Sequence, residues 1–313
     1  LRGAAGDEAI SMRQTKPITL KQIHSELISG LDGSEAELEA KIIIEHVLKI
    51  SPAELIANPE MQLTRNQVQK ILEVRDLRNH KHMPLAYILE EAPFMDLKLF
   101  VNRDVLIPRP ETELLVERVL EEIKTRKIHH PVILDLCTGS GCIAIALKRA
   151  LPIATVYASD ISTGALNVAA INARRYETEI TFVLGDYLDP FINEASLQSP
   201  IATPIMNSSA PYFDVIVSNP PYVSAEDYDK LAPELKHEPK HALVGFPYQQ
   251  IRDQALGLRS SAKLKGIAPA GLLKPGGFMA LEFGQGQTTK MLEIFTDATI
   301  YKDYAGIDRL LIS

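Results

Sequence analysis

The sequence predicts an α/β protein. A Rossmann-like, doubly wound parallel sheet follows a small N-terminal helical domain, with a β-hairpin linker between them. Three observations carry this. Short apolar runs, rich in β-branched residues, recur between residues 131 and 218, and each ends in turn residues. The first of them passes through a glycine turn directly into a helical pattern, the layout of a βα unit. Residues 18–81 show helical periodicity alone, with start signals for several helices. The expected boundaries are 1–83 for the helical domain, 84–107 for the linker and 108–313 for the sheet domain, with 1–17 a disordered lead-in.

In the helical domain, Leu20, Ile23, Leu27 and Ile28 form one apolar stripe. Leu38, Ile42, Val47 and Leu48 form a second, and Val68, Ile71, Leu72 and Leu77 a third. Ser34-x-x-Glu37, Ser51-Pro52-x-Glu54 and Thr64-x-x-Gln67 read as three capping boxes. Nothing in this stretch has the makings of a catalytic constellation. The linker is expected to turn near Glu90-Glu91-Ala92-Pro93, with Leu97, Leu99 and Val101 alternating after it. Pro108-Arg109-Pro110 then stiffens the approach to a helix whose first turn holds Glu111 and Glu113.

The core of the sheet domain opens with Val132-Ile133-Leu134-Asp135-Leu136, followed by Cys137-Thr138-Gly139-Ser140-Gly141-Cys142 and the helical Ile143–Leu147. A second strand, from Ala154 to Ser159, ends in Asp160, about 20 residues beyond the glycines, where an acid meets ribose hydroxyls. Gly139 to Ala144 satisfies G-x-G-x-x-A, so a nicotinamide cofactor must be weighed. Asp135 argues against it: a carboxylate at the strand end repels a pyrophosphate but attracts the ammonium and sulfonium of S-adenosylmethionine. A third strand, Ile180–Leu184, leads to Gly185-Asp186-Tyr187, where Asp186 can accept from an adenine amine and Tyr187 can lie on the ring. The expected cofactor is therefore S-adenosylmethionine, held by Asp135, Cys137, Thr138, Gly139, Ser140, Gly141, Asp160, Asp186, Tyr187 and Asn219. A fifth strand around Phe278–Leu281, a helix from about Gln287 and a terminal antiparallel pair, 298–302 with 308–312, complete the sheet.

Between the third and fifth strands, Phe213–Ser218 delivers Asn219-Pro220-Pro221-Tyr222 to the carboxyl edge of the sheet. This tetrapeptide is the candidate catalytic group. A planar NH2 offers two N–H donors and a lone pair delocalised into its π system. The Asn219 carbonyl can accept one donor and a proline-stiffened main-chain carbonyl the other, while Tyr222 offers a flat face for stacking. Fixed acceptors stabilise the charge that develops on nitrogen as it attacks a methyl group.

These residues resemble the HemK/PrmC family, the N5-glutamine methyltransferases of peptide chain release factors. The resemblance runs from about residue 35 to the C-terminus. It rests on Pro84–Leu89, Leu106–Glu113, Asp135–Gly141, Ser218–Val223, His237-Glu238-Pro239, and Leu273–Gly277 with Leu281-Glu282. It implies a class I S-adenosylmethionine-dependent methyltransferase acting on the glutamine of the Gly-Gly-Gln loop of a class I release factor. It further implies that the helical domain engages that protein and that Arg109, Thr112 and Glu113 lie at the substrate pocket. The chain departs from the family pattern at Cys137, where glycine is usual, and carries longer inserts at about 192–211 and 246–252, the first read as a mobile surface loop. A nucleic-acid amino-methyltransferase of the N6-adenine type is the rival reading, because it uses the same tetrapeptide.

Bulk properties fit an enzyme of this kind. A formal net charge of −7 disfavours phosphate-driven nucleic-acid binding. Cys137 and Cys142, the only cysteines, flank the glycine turn and read as packing residues, with no metal expected. No apolar run is long enough to span a membrane. The first residue is Leu1, so the expected N-terminus is processed, truncated or tag-derived. The expected state is a soluble monomer in a bacterial cytoplasm or, slightly favoured, a eukaryotic mitochondrial matrix.

Overall fold

The structure, a computed structural model, describes residues 17–31, 33–192, 212–258 and 271–313. The lead-in 1–16 and nearly all of the 192–211 insert lie outside the described residues. The chain divides into two compact units between Leu89 and Glu90.

The first unit comprises α1 (Leu20–Gly30), α2 (Ala36–Leu48), α3 (Pro52–Ala57), α4 (Arg65–His80) and α5 (Leu85–Leu89). Its core is built from Leu20, Ile23, Leu27, Ala40, Ile43, Ile44, Leu55 and Ile71. The capping boxes at Ser51 and Thr64 form as expected. Ser34 caps nothing: Glu35 is the N-cap of α2 and makes no side-chain cap bond. A box that the sequence reading passed over, Thr19 with Gln22, opens α1 instead. The expected face of α2 also differs, since Leu38 is 55% exposed and Ile42 37%, while Ile43 and Ile44 are fully buried. Three consecutive isoleucines leave the phase of the stripe undetermined by periodicity, and packing against α1 and α4 selects it.

The second unit begins with a hairpin, β1 (Glu91–Phe94) and β2 (Leu97–Phe100), paired from Glu91↔Phe100 to Phe94↔Leu97. It therefore turns at Met95-Asp96 rather than at 90–93, and residues 85–89 are helical rather than part of the linker. Met95 takes a positive φ of 52°, which a tight turn requires.

The remaining elements are α6 (Pro110–Thr125), β3 (Val132–Leu136), α7 (Cys142–Ala150), β4 (Thr155–Asp160), α8 (Thr163–Arg175), β5 (Thr181–Leu184) and α9 (Asp189–Ile192). They are followed by β6 (Phe213–Ser218), α10 (Ala225–Tyr228), a 3₁₀ turn at Pro233–His237, α11 (Lys240–Leu243) and α12 (Tyr248–Leu256). Last come β7 (Leu273–Glu282), α13 (Thr288–Ile294), β8 (Thr299–Lys302) and β9 (Asp308–Ile312).

The seven strands lie in the order β5-β4-β3-β6-β7-β9-β8. All pairings from β5 to β7 are parallel, and β9 is antiparallel to both of its neighbours. The chain leaves β3 outward through β4 and β5, then returns to the other side of β3 with β6. That reversal makes the β3/β6 edge a switch point, where the carboxyl ends of strands leave a crevice. Alternate strand residues feed two apolar layers. Ile133, Val217 and Ala280 pack with α6, α7 and the hairpin on one face. Leu134, Ile216 and Leu281 pack with α12 and α13 on the other. The 246–252 insert contributes to this second layer, because Tyr248 is fully buried and its hydroxyl donates to the Glu282 main-chain oxygen at 2.8 Å. Among the described residues, no helix is long and apolar enough to cross a membrane.

Candidate active site

A cavity of about 260 Å³ sits at the switch point. Its walls come from the segments following β3, β4, β5 and β6, together with Asp104–Arg109, Thr112 and the stretch 241–244.

The turn after β3 is built for close approach. Gly139 takes φ +53°, and a Cβ placed there would meet no protein atom within 4 Å. Gly141 takes φ +82° and is closed in, since a Cβ would lie 3.1 Å from that of Ala169 and 3.3 Å from Ile145 Cδ1. The first glycine keeps the cavity floor clear, and the second lets α7 pack against α8. Cys137 carries a φ of +61°, the left-handed region that favours glycine, so its side chain is held there at a cost. Burial raises its thiol pKa well above the ordinary value. The Cys142 thiol is pushed up to about 12, also chiefly by burial, and both free cysteines lie along the cavity wall.

Asp160 fastens the turn to β4. Its Oδ2 accepts the Gly139 N–H at 3.0 Å and its Oδ1 accepts that of Ser162 at 2.9 Å. The carboxylate still faces the cavity, and burial raises its pKa despite those bonds. Asp186 and Tyr187 stand on the wall beside it, and burial, then the neighbouring Asp189, raises the Asp186 carboxyl.

Asp135 departs from the expectation of direct cofactor contact. It shares the face of β3 that packs on α7, is completely buried and is not among the cavity walls. Its Oδ2 accepts the Thr138 hydroxyl at 2.6 Å and the Ala144 N–H at 3.1 Å, so it shapes the turn from beneath. Burial pushes its carboxyl up to about 7. Side-chain alternation along a strand is the physical reason: Leu136, not Asp135, points with Leu134.

At the end of β6, Asn219 and Pro221 line the cavity, whereas Pro220 and Tyr222 are not among its walls, and Tyr222 packs against the core layer on the α12/α13 face. The Asn219 Nδ2 donates to Thr112 Oγ1 at 3.0 Å, and the Thr112 hydroxyl donates to Glu282 Oε2 at 2.7 Å. The Tyr222 hydroxyl donates to Glu282 Oε1 at 3.3 Å, and its main-chain oxygen accepts from Gln287 Nε2 at 2.8 Å. Among the described residues, neither Asn219 Oδ1 nor the Pro220 carbonyl receives a hydrogen bond.

Arg109 and Thr112 line the cavity, whereas Glu113 points elsewhere and accepts the Met95 N–H at 2.6 Å, bracing the hairpin turn. Its position in the helix faces away from the crevice that Thr112 faces. Arg109 is tied to Glu238, whose buried carboxylate accepts from its guanidinium at 2.5 Å and from the Ile107 N–H at 3.1 Å.

The sequence reading assigned no site role to Glu238, Glu282, Asn172 or His241. Glu282 stands between Leu281 and Phe283, an apolar setting unusual for a carboxylate, whereas Glu238, between His237 and Pro239, carries no such signal. Asn172, fully buried, clamps Phe100 and the Ser140 carbonyl at once.

The donor set decides which cofactor fits. Carboxylates stand at the ends of β4 and β5, and the floor is open at Gly139. A pyrophosphate would meet repulsion there, while a cationic, phosphate-free nucleoside is matched. The fold and this site define a class I S-adenosylmethionine-dependent methyltransferase. Comparison with known proteins narrows the class. Residues 22–89 match the PrmC N-terminal domain model, and residues 110–244 match the methyltransferase small domain. Over 282 residues the chain is 38% identical to a release factor glutamine methyltransferase of Thermodesulfovibrio yellowstonii, covering 88% of this chain and 91% of that protein. It is 36% identical to one from Coxiella burnetii over the same 88% and 91%, and 34% identical to one from Moorella thermoacetica over 95% and 98%. The chain belongs to the release factor glutamine methyltransferase family.

Proposed function

We propose that this chain moves a methyl group from S-adenosylmethionine to the side-chain amide nitrogen of the glutamine in the Gly-Gly-Gln loop of a class I peptide chain release factor. The observation that carries the reading is Asn219, which lines a cavity suited to the cofactor and whose Oδ1, like the adjoining Pro220 carbonyl, receives no hydrogen bond among the described residues. A planar amide NH2 has two donors for two acceptors.

When bound, S-adenosylmethionine supplies an electrophilic methyl carbon and leaves as the neutral thioether. Asp160 and Asp186 are the groups that would take the ribose hydroxyls and the adenine amine, with Tyr187 against the base and Thr138 to Gly141 beneath. Asn219 and Pro220 hold the substrate NH2 so that its lone pair faces the methyl carbon, and their dipoles favour the positive charge that develops on nitrogen. With the cofactor bound, these residues would hold the amide nitrogen for a single in-line displacement of the thioether, and the extra proton on nitrogen would depart to solvent. Arg109, set by Glu238, borders the opening through which the substrate loop arrives. The enzyme works as a monomer where release factors work, in a bacterial cytoplasm or a mitochondrial matrix, with no nucleic-acid substrate.

Transfer of tritium from labelled S-adenosylmethionine tests this reading. Release factor should be labelled, while its Gln→Ala variant, DNA and RNA should not. In the same assay Asn219→Ala should lower kcat by about 100-fold or more, with cofactor affinity nearly unchanged. Equal labelling of the Gln→Ala protein, or more than about half of the wild-type kcat in Asn219→Ala, would overturn it.

A further inference from the structure

Glu282 lies at the end of β7 on the face that packs against α6, only 1% exposed and outside the cavity walls. It cannot touch a substrate there. Its environment is costly for a carboxylate: among the described residues its two side-chain oxygens receive only the Thr112 and Tyr222 hydroxyls, both neutral donors. A group this expensive and this remote from the reacting atoms needs a reason that packing does not supply.

Counting protons supplies one. The Thr112 hydroxyl has a single hydrogen, and opposite an ionised carboxylate that hydrogen goes to Glu282 Oε2. The hydroxyl oxygen can then only accept, so the Asn219 atom 3.0 Å away must be its Nδ2. The other end of the same amide, Oδ1, is thereby turned to the cavity. Remove the carboxylate and the hydroxyl is free to donate to Oδ1. The amide can then rotate half a turn and confront the substrate NH2 with a second NH2. The same carboxylate receives the Tyr222 hydroxyl, so both ends of the tetrapeptide answer to one buried group.

We infer that Glu282 is a positioning residue for methyl transfer, acting through the Thr112 hydroxyl to hold the Asn219 amide with its oxygen toward the substrate nitrogen. This rests on the methyltransferase reading above. It also makes the site sensitive to pH. Facing Glu282 are Glu111 and Thr112 of α6, Tyr222 after β6, Tyr248 of α12, Arg309 of β9 and Cys142 of α7. Burial outweighs the hydroxyl bonds and Arg309 and holds the carboxyl up to about 7. Below that range Glu282 carries a proton that it can donate to Thr112, and the direction of the chain is lost. Activity therefore rises with pH through this ionisation.

The test uses the full-length enzyme with release factor and labelled S-adenosylmethionine between about pH 6 and 8.5. Glu282→Gln is expected to lower kcat by about 10-fold or more and to flatten the rise with pH, leaving cofactor affinity and thermal midpoint at pH 8 unchanged or improved. Thr112→Val should lower kcat likewise, with some loss of thermal midpoint because Glu282 Oε2 and Asn219 Nδ2 lose their partner. Thr112→Ser should recover activity to within about threefold, and the double variant should have a kcat no lower than the poorer single one. A readout independent of turnover is the Asn219 side-chain amide in ¹⁵N spectra of the free protein. Its exchange with water should be slowed in the wild type and quickened in Glu282→Gln. A Glu282→Gln enzyme with wild-type kcat and pH profile overturns the inference, and so does a lost kcat matched by equal losses of cofactor affinity and thermal midpoint. If the wild type labels no release factor, the underlying reading fails instead, while the amide exchange still reports on the hydrogen-bond chain.

Discussion

Gly139 and Gly141, two residues apart in the chain, should separate folding from binding when each is changed to alanine. Gly141→Ala places a Cβ 3.1 Å from Ala169 Cβ and 3.3 Å from its Cα, in a backbone conformation with φ +82°. The left-handed backbone costs about 1 kcal/mol for alanine, and forcing the contact between α7 and α8 adds about 1–3 kcal/mol. The sum, about 2–4 kcal/mol, corresponds to a fall in thermal midpoint of roughly 5–15 °C for a unit of this size. Gly139→Ala bears the backbone cost alone, because its Cβ meets nothing within 4 Å. That methyl instead occupies the cavity floor, and cofactor affinity should drop by about 10-fold or more on the scale of an overpacked site. Differential scanning fluorimetry without cofactor and calorimetry with S-adenosylmethionine read the two effects. The reasoning is refuted if Gly139→Ala is the less stable variant, or if it binds the cofactor as tightly as the wild type does.

Other expectations follow from the same geometry. Asp160→Ala should weaken S-adenosylmethionine binding by about 1–3 kcal/mol in calorimetry, through the loss of charge-assisted bonds to ribose; unchanged affinity would remove Asp160 from the site. Cys137→Gly should leave the unfolding free energy within about 1 kcal/mol of wild type in denaturant titration, whereas Cys137→Val, β-branched at φ +61°, should cost roughly 2 kcal/mol or more. Asp135 has a native pKa raised to about 7, so the folded protein holds this proton where the unfolded chain has released it. Its contribution is fully present below the ordinary carboxylate range and is lost as pH rises toward 7. Asp135→Asn should therefore gain stability relative to wild type between about pH 4 and 8, on the order of a few kcal/mol, and denaturant midpoints showing the opposite slope would exclude a buried neutral Asp135.

The strands that frame the cavity were legible because each is a short apolar run whose last residue or successor is polar. Val132–Leu136, Phe213–Ser218 and the terminal pair fall where those runs stand. Local signals misled wherever two choices had equal local merit. Ser34 and Thr19 both have an acid or amide three residues on, but Thr19 has the extended φ and ψ of an N-cap and bridges Gln62, whereas α2 takes Glu35 as its N-cap, at φ −102° and ψ 10°. The hairpin turn was drawn to Pro93, yet Pro93 sits within β1, opposite Lys98, because Met95 can adopt the left-handed conformation when Glu113 receives its N–H.

The site divides along the same line. Its parts facing the cavity can be named from motifs, because a motif records which residue types a ligand needs at the end of a strand. The parts that aim them lie far away in the chain: Thr112 is 107 residues from Asn219, and Glu282 is 170 from Thr112. No periodicity or local spacing connects such positions. What joins them is the sheet order, which sets β7 beside β6 and leaves the last residue of β7 facing the first turn of α6. Strand parity then decides the rest. Asp135 and Glu282 are both carboxylates near strand ends at the switch point, and both fall on the α6/α7 face, away from the cavity. Each consequently loses direct ligand contact and gains control over a group that keeps it: Asp135 over the Thr138 turn, Glu282 over the Asn219 amide. Two buried acids, their carboxyls pushed up to about 7 chiefly by burial, thus stand behind the turn at Thr138 and the amide of Asn219. Protonating Glu282 lets it donate to the Thr112 hydroxyl and frees the Asn219 amide to turn, so kcat should fall as pH is lowered through that ionisation.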